Sequence, residues 1–199
     1  MSAAGKVCTG YSSPFVAKYA AAAGQGGTVT VTYSDGMELA RGVGIDLQIT
    51  TTDGVVFYAN NGAAESANGK FQNGTANVTV DGLFMTAERL IMGLPTAASD
   101  GFTDYGDDQE TPYVGLGVVG RFMSDGVESW TPFILPKIKF NIPNRQMNTA
   151  EETVNFQTQE LTAQILRDDT ANHKWLRVGG DETSEAAAIA KIKTFLSIT

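Results

Sequence analysis

A single cysteine, Cys8, and a single histidine, His173, stand in the whole sequence. One thiol leaves no internal disulfide to form, and one imidazole beside it falls short of the ligand set of a structural zinc. Positive charge is scarce as well: 14 Lys and Arg face 22 Asp and Glu, for a net charge of -8. A phosphate-backbone binder needs clustered cations. This chain has no basic patch and would repel nucleic acid rather than grip it. Apolar runs of bilayer-crossing length are missing too, and Met1-Ser2-Ala3-Ala4-Gly5-Lys6 has no unbroken apolar stretch behind a basic one. The expectation is a chain made and folded in the cytosol, with no membrane, metal or cofactor.

What is present reads as strand. With 199 residues and 42% hydrophobic content, one sizeable core suffices. Two long extended runs, 112–123 and 127–142, flank Ser124-Asp125-Gly126, and Asp-Gly tolerates the positive φ of a tight turn, so they predict a central β-hairpin. Residues 1–27, rich in Ser, Gly and Ala, read as a flexible N-terminal arm, leaving 28–199 as a single β-sandwich or barrel domain. Within it Thr28 to Tyr33 alternates and ends at an Asp35-Gly36 turn. Val43, Ile45, Leu47 and Ile49 alternate with Asp46, Gln48 and Thr50, and Ala76, Val78 and Val80 with Thr75, Asn77, Thr79 and Asp81. Between them 55–59 reads as a short strand and 60–72 as a polar contact loop.

In 153–166 the apolar phase shifts from Val154 and Phe156 to Leu161, Ala163 and Ile165, which predicts a bulge near 158–160. Thr86 reads as the cap of a short helix near 87–92, stopped by Gly93. Ser184 reads as the cap of a C-terminal helix near 185–196 lying on a sheet. The fold class expected is mainly β, antiparallel, with helices as covers.

The chemical motifs thin out on inspection. Gly115-Leu116-Gly117-Val118-Val119-Gly120 matches a dinucleotide fingerprint, but Arg121-Phe122-Met123 continues a strand where the site needs a helix N-terminus. Residues 100–110, with Asp100, Asp104, Asp107, Asp108 and Glu110, lack calcium-loop spacing. Asn73-Gly74-Thr75 and Asn77-Val78-Thr79 match glycosylation sequons, which without a secretory signal read as ordinary strand residues. His173 has no nucleophile motif to serve. No catalytic constellation emerges, so the expectation is a chain that is not an enzyme.

One pattern remains. The predicted polar strand faces Asp46/Gln48/Thr50/Thr52, Thr75/Asn77/Thr79/Asp81 and Thr158/Glu160/Thr162/Gln164 hold no Lys or Arg. Exposed sheet often carries lysine. A face without it suits a wet channel whose cargo is itself anionic.

The order of Ala40-Arg41-Gly42-Val43-Gly44-Ile45-Asp46-Leu47, Phe57-Tyr58-Ala59-Asn60-Asn61, Asn73-Gly74-Thr75-Ala76-Asn77-Val78-Thr79-Val80, Pro112-Tyr113-Val114-Gly115-Leu116-Gly117, Pro136-Lys137-Ile138-Lys139-Phe140 and Val154-Asn155-Phe156-Gln157-Thr158 carries a resemblance. Across about 28–198 the chain resembles the major tail protein, or tail tube protein, of long-tailed phages, particularly siphophages of Gram-positive hosts. The resemblance implies a β-sandwich or barrel flanked by a helix, as in contractile-tail and type VI secretion tubes. It implies a virion protein assembled in the host cytoplasm into stacked, hexameric rings, the conduit for genome ejection. Its partners would be itself, an initiator or baseplate protein, a tape measure and a terminator, with DNA passing unbound.

In that setting Asp46, Gln48, Thr50, Thr79, Asp81, Glu160 and Gln164 would face the lumen, and Asn60, Asn61, Glu65 and Asn68 would make ring-to-ring contacts. Deletion of 60–72 would then leave a folded subunit that no longer polymerises. The alternative is a carbohydrate- or protein-binding β-sandwich of a tail tip or decoration, which needs Tyr105, Tyr113, Trp130 and Trp175 to form an aromatic patch.

Overall fold

The central hairpin is present and sets the frame. In the computed structural model, which describes residues 5–59, 62–96, 100–147, 149 and 156–199, it consists of β7 (Val114–Ser124) and β8 (Val127–Phe140). Asp125 and Gly126 hold φ of 49° and 76°, the left-handed pair of a type I′ turn, whose twist matches the flanking strands. The other elements are β1 (Val7–Ala23), β2 (Val29–Glu38), β3 (Gly42–Thr51), β4 (Val55–Ala59), β5 (Gly62–Ala67), β6 (Phe71–Val80), α1 (Met85–Met92), β9 (Gln159–Leu166), β10 (Arg177–Val178) and α2 (Glu185–Phe195). One 8-stranded sheet runs β2-β1-β7-β8-β9-β6-β3 with β10 on β8, and every pairing is antiparallel. The chain is mainly β.

The sheet curls. Its outermost strands, β2 and β3, are joined by residues 39–41 alone, and Leu39 and Ala40 are fully buried in that link. The two ends of the sheet must therefore meet, and β1 lies beside β3 with the Tyr11 ring where a side chain at Gly42 would stand. Inside the curl lie Val16, Val78, Leu116, Ile138, Phe140 and Leu161, joined by Ala87, Ile91 and Met92 of α1. Each Leu or Ile fully withdrawn from water there contributes about 1.5–3 kcal/mol. On the outer face Phe15, Ala17, Val119 and Ile134 receive Ala188, Ile192 and Leu196 of α2, and Ser184 caps that helix by accepting from the Ala187 amide at 3.3 Å. The expected helix on a sheet is there.

Glycines of the dinucleotide-like run make room for it. A side chain at Gly117 would overlap Ile192, and one at Gly115 would meet Leu196 at 2.8 Å and Tyr33 at 2.6 Å. The run is inner strand throughout, and its glycines admit helix side chains rather than a phosphate.

Several expectations are corrected. The supposed arm is mostly β1, an inner strand between β2 and β7 with Phe15, Val16 and Ala17 buried. Buried on both faces, it shows a continuous small-apolar run instead of alternation, and Pro14 sits at a break in its register. Asp35-Gly36 is no terminal turn. Asp35, at φ 54°, marks a bulge inside β2, and Gly36 lies against Ile198. The first helix begins at Met85, with Phe84 as its N-cap and no side-chain cap, so Thr86 lies within it; Gly93 does stop it, at φ 67°.

No bulge interrupts β9. Its register with β6 is unbroken from Gln159 to Ile165, and the phase shift vanishes because the strand starts at Gln159, leaving Phe156 91% exposed. Val154 lies outside the described residues. The supposed loop 60–72 holds strand β5, and its end, Phe71, is a buried first residue of β6. Deleting 60–72 would therefore cut into the core.

Candidate functional site

Pairing gathers the polar strand residues onto one surface. β3, β6 and β9 are neighbours, with Asp46 opposite Asn77 and Asn77 opposite Thr162, and with Gln48 opposite Thr75 and Thr75 opposite Gln164. Residues directly opposite share a face, so inward Ala76, Val78 and Val80 force Thr75, Asn77 and Thr79 outward together. Asp46, Gln48, Thr50, Glu160 and Gln164 are exposed, and Thr79, level with Glu160, is half-buried. The side chains bond across this surface. Gln48 donates to Asp46 at 2.8 Å, and Thr162 to Asn77 at 3.2 Å. Asn73, opposite Thr50, extends the face and was not among the expected residues.

The absence of cations holds for the centre of this surface and fails at its borders. Asp81 is bonded by Arg41, through its guanidinium at 2.8 Å and its backbone amide at 3.2 Å, and so belongs to the rim. Lys139 stands opposite Gln164 on β8. Next to it Lys137 donates to Asp169 at 2.7 Å and lies 4.5 Å from the Tyr113 ring centroid, while Tyr19 also donates to Asp169 at 2.8 Å. The Lys137 hydrogen bond holds the Asp169 carboxyl below its usual range. This border separates the polar surface from α2, which covers β1, β7 and β8 on the same side and leaves β9, β6 and β3 bare.

Of the residues expected at ring contacts, Asn60 and Asn61 lie outside the described residues. Glu65 lies in β5 opposite Phe57, and Asn68 is exposed in the return link. β4 and β5 form a two-stranded sheet of their own, inserted between β3 and β6. An isolated two-stranded hairpin is marginal in water.

A second cluster went unforeseen. Glu88 of α1, only 4% exposed, accepts from Tyr105 at 2.6 Å and from Arg145, and Arg145 donates to Tyr105 at 2.8 Å. The clasp ties the acidic loop and the segment after β8 to α1. Burial, and then Glu88, push the Tyr105 hydroxyl pKa up. Beside it opens a groove of about 1130 Å³ lined by Leu83, Met85, Ile142, Met147 and Phe156. The only sequence hint was apolar residues scattered through polar, proline-bearing stretches.

The aromatic residues needed for the alternative do not form a patch among the described residues. Trp175 stacks on Phe71 at 4.6 Å, Tyr113 lies beside Lys137 and Lys139, Tyr105 beside Arg145, and Trp130 against the α2 cluster. Among the described residues no group of His, Cys, Asp and Glu is placed to hold a metal, and no helix is long and apolar enough to cross a membrane. The sequence matches no protein-family model and no curated protein.

Proposed function

We propose that this chain is a structural, self-assembling subunit of a phage tail tube, stacking as rings around a channel for DNA, and that it is not an enzyme. The observation that carries the reading is the continuous polar surface on β3, β6 and β9, whose only ionised side chains are the carboxylates Asp46 and Glu160. Such a surface can line a conduit without holding a polyanion, because like charge and the lack of Lys or Arg leave nothing for phosphates to bind. β2 and β3 each offer an unpaired edge to a neighbour, and closing a ring would cover both.

Negative-stain electron microscopy across a concentration series tests this: rings or hollow tubes are expected. A protein that stays monomeric and binds a glycan specifically would overturn the reading in favour of a tip or decoration module. The channel carries its own prediction. Gln48→Lys combined with Gln164→Lys would place a ring of cations on the central surface, and assembled tubes would then retain DNA at low salt and release it as salt rises. DNA behaviour identical to the wild type would mean that this face does not line the lumen.

A further inference from the structure

The geometry points to a head-to-tail contact in which the β4–β5 hairpin of one copy seats in the apolar groove beside α1 of the next. It rests on the self-assembly reading only in naming a second copy as the occupant. Two unpartnered features carry it. The hairpin, which opens with Val55-Val56-Phe57-Tyr58-Ala59 and carries Glu65 as the one charge in 55–67, pairs with no other strand, and Val55 is 69% exposed. The groove holds Met147 at 84%, Ile142 at 67% and Phe156 at 91% exposure. Its volume of about 1130 Å³ exceeds the roughly 300–1000 Å³ of sites that enclose a small molecule. An open apolar trough of that size suits a segment of chain, and apolar surface left in water on both sides favours their union.

Topology fixes who can fill it. β3 and β6 pair along their whole length, Gly42 against Val80 at one end and Thr51 against Phe71 at the other. The hairpin leaves from the Thr51 end, whereas Thr79, Asp81 and Gly82 place the groove at the Val80 end. At about 3.3 Å per residue the two lie roughly 30 Å apart along the strand direction. A chain cannot seat its own hairpin in its own groove. A second copy can, and because knob and socket sit at opposite ends the contact is heterologous and repeats along one axis.

Two variants, each blocked at one end, test this. The first removes 55–67 and joins Gly54 to Asn68; the two ends already adjoin, since a side chain on Gly54 would lie 2.9 Å from the Ala67 carbonyl, and Gly-Asn suits a tight turn. The second carries Met147→Asp and Phe156→Asp. Sedimentation should show each variant alone as a monomer, having lost polymerisation, and an equimolar mixture doubling in mass to a heterodimer and growing no further. If the deletion does not fold, Val55→Asp takes its place.

A mixture that stays monomeric with both variants folded, or either variant polymerising alone, overturns the contact. So does a groove variant whose Tm falls by many degrees, since the cluster would then be covered by its own chain. Wild-type tubes beside a monomeric mixture would sink the contact and leave the tube reading standing. Heterodimers from a wild type that forms only open chains would do the reverse.

Discussion

Gly117→Val will unseat the C-terminal helix. Valine is a better strand former than glycine, a preference on the order of 1 kcal/mol. The added side chain, however, enters space held by the Ile192 side chain, itself buried and β-branched and so unable to swing aside. Overpacking of this kind costs about 1–3 kcal/mol, and the contact lies at the middle of the α2 seat, so the net effect expected is a loss of about 2 kcal/mol. For a domain of this size that lowers Tm by roughly 4–8 °C. Ile192→Ala alone also destabilises, by leaving a cavity, but in combination it should largely absorb the valine, so the double variant is no worse than Ile192→Ala alone. A Tm for Gly117→Val equal to the wild type would mean that α2 does not rest on β7 as described.

Alkali will unfold the protein through its tyrosines. Burial raises the Tyr11 and Tyr33 hydroxyl pKa values above the ordinary 10, and burial, with Asp169 adding to it, pushes Tyr19 up to about 12. The Tyr11 hydroxyl has no hydrogen-bond partner among the described residues, so a phenolate there would be wholly unsupported. A folded-state pKa above the unfolded one gives stability that is intact below the unfolded value, here pH 10, and declines as pH climbs toward the folded value. Each such group removes about 1.4 kcal/mol per pH unit over that interval. Three together remove about 4 kcal/mol per unit, which exhausts a typical 5–15 kcal/mol within a few units. Ultraviolet titration should show these phenolates appearing in step with loss of the folded circular dichroism signal. A smooth titration of all 6 tyrosines near pH 10, with the fold intact, would contradict the burial described.

What the sequence made legible was local. The Asp125-Gly126 turn, the alternation in β3 and β6, the Ser184 cap and the Gly93 stop each depend on residues a few positions apart, and each appears where expected. β1 was not legible, because a strand paired on both sides needs no alternation and its partner β7 is distant in sequence. The polar surface was half legible. Alternation showed which residues share a face within a strand, but only the pairing of Asn77 with Asp46 and Thr162 joins three faces into one, and only the fold removes Asp81 to Arg41. The groove was hidden altogether, since Met85, Ile142 and Phe156 come from three separate stretches.

The distance in sequence between β1 and β7 also has a consequence in time. Phe15 pairs with Gly117, about 100 residues later, and a ribosome adding about 5–20 residues per second needs about 5–20 s to supply them. Through that interval the nascent β1–β2 hairpin holds its inner edge open, and the Gly-rich platform for α2 does not yet exist. Closure of the sheet must therefore await the second half of the chain, and refolding from denaturant should run on the slow scale of non-local β proteins, milliseconds to seconds.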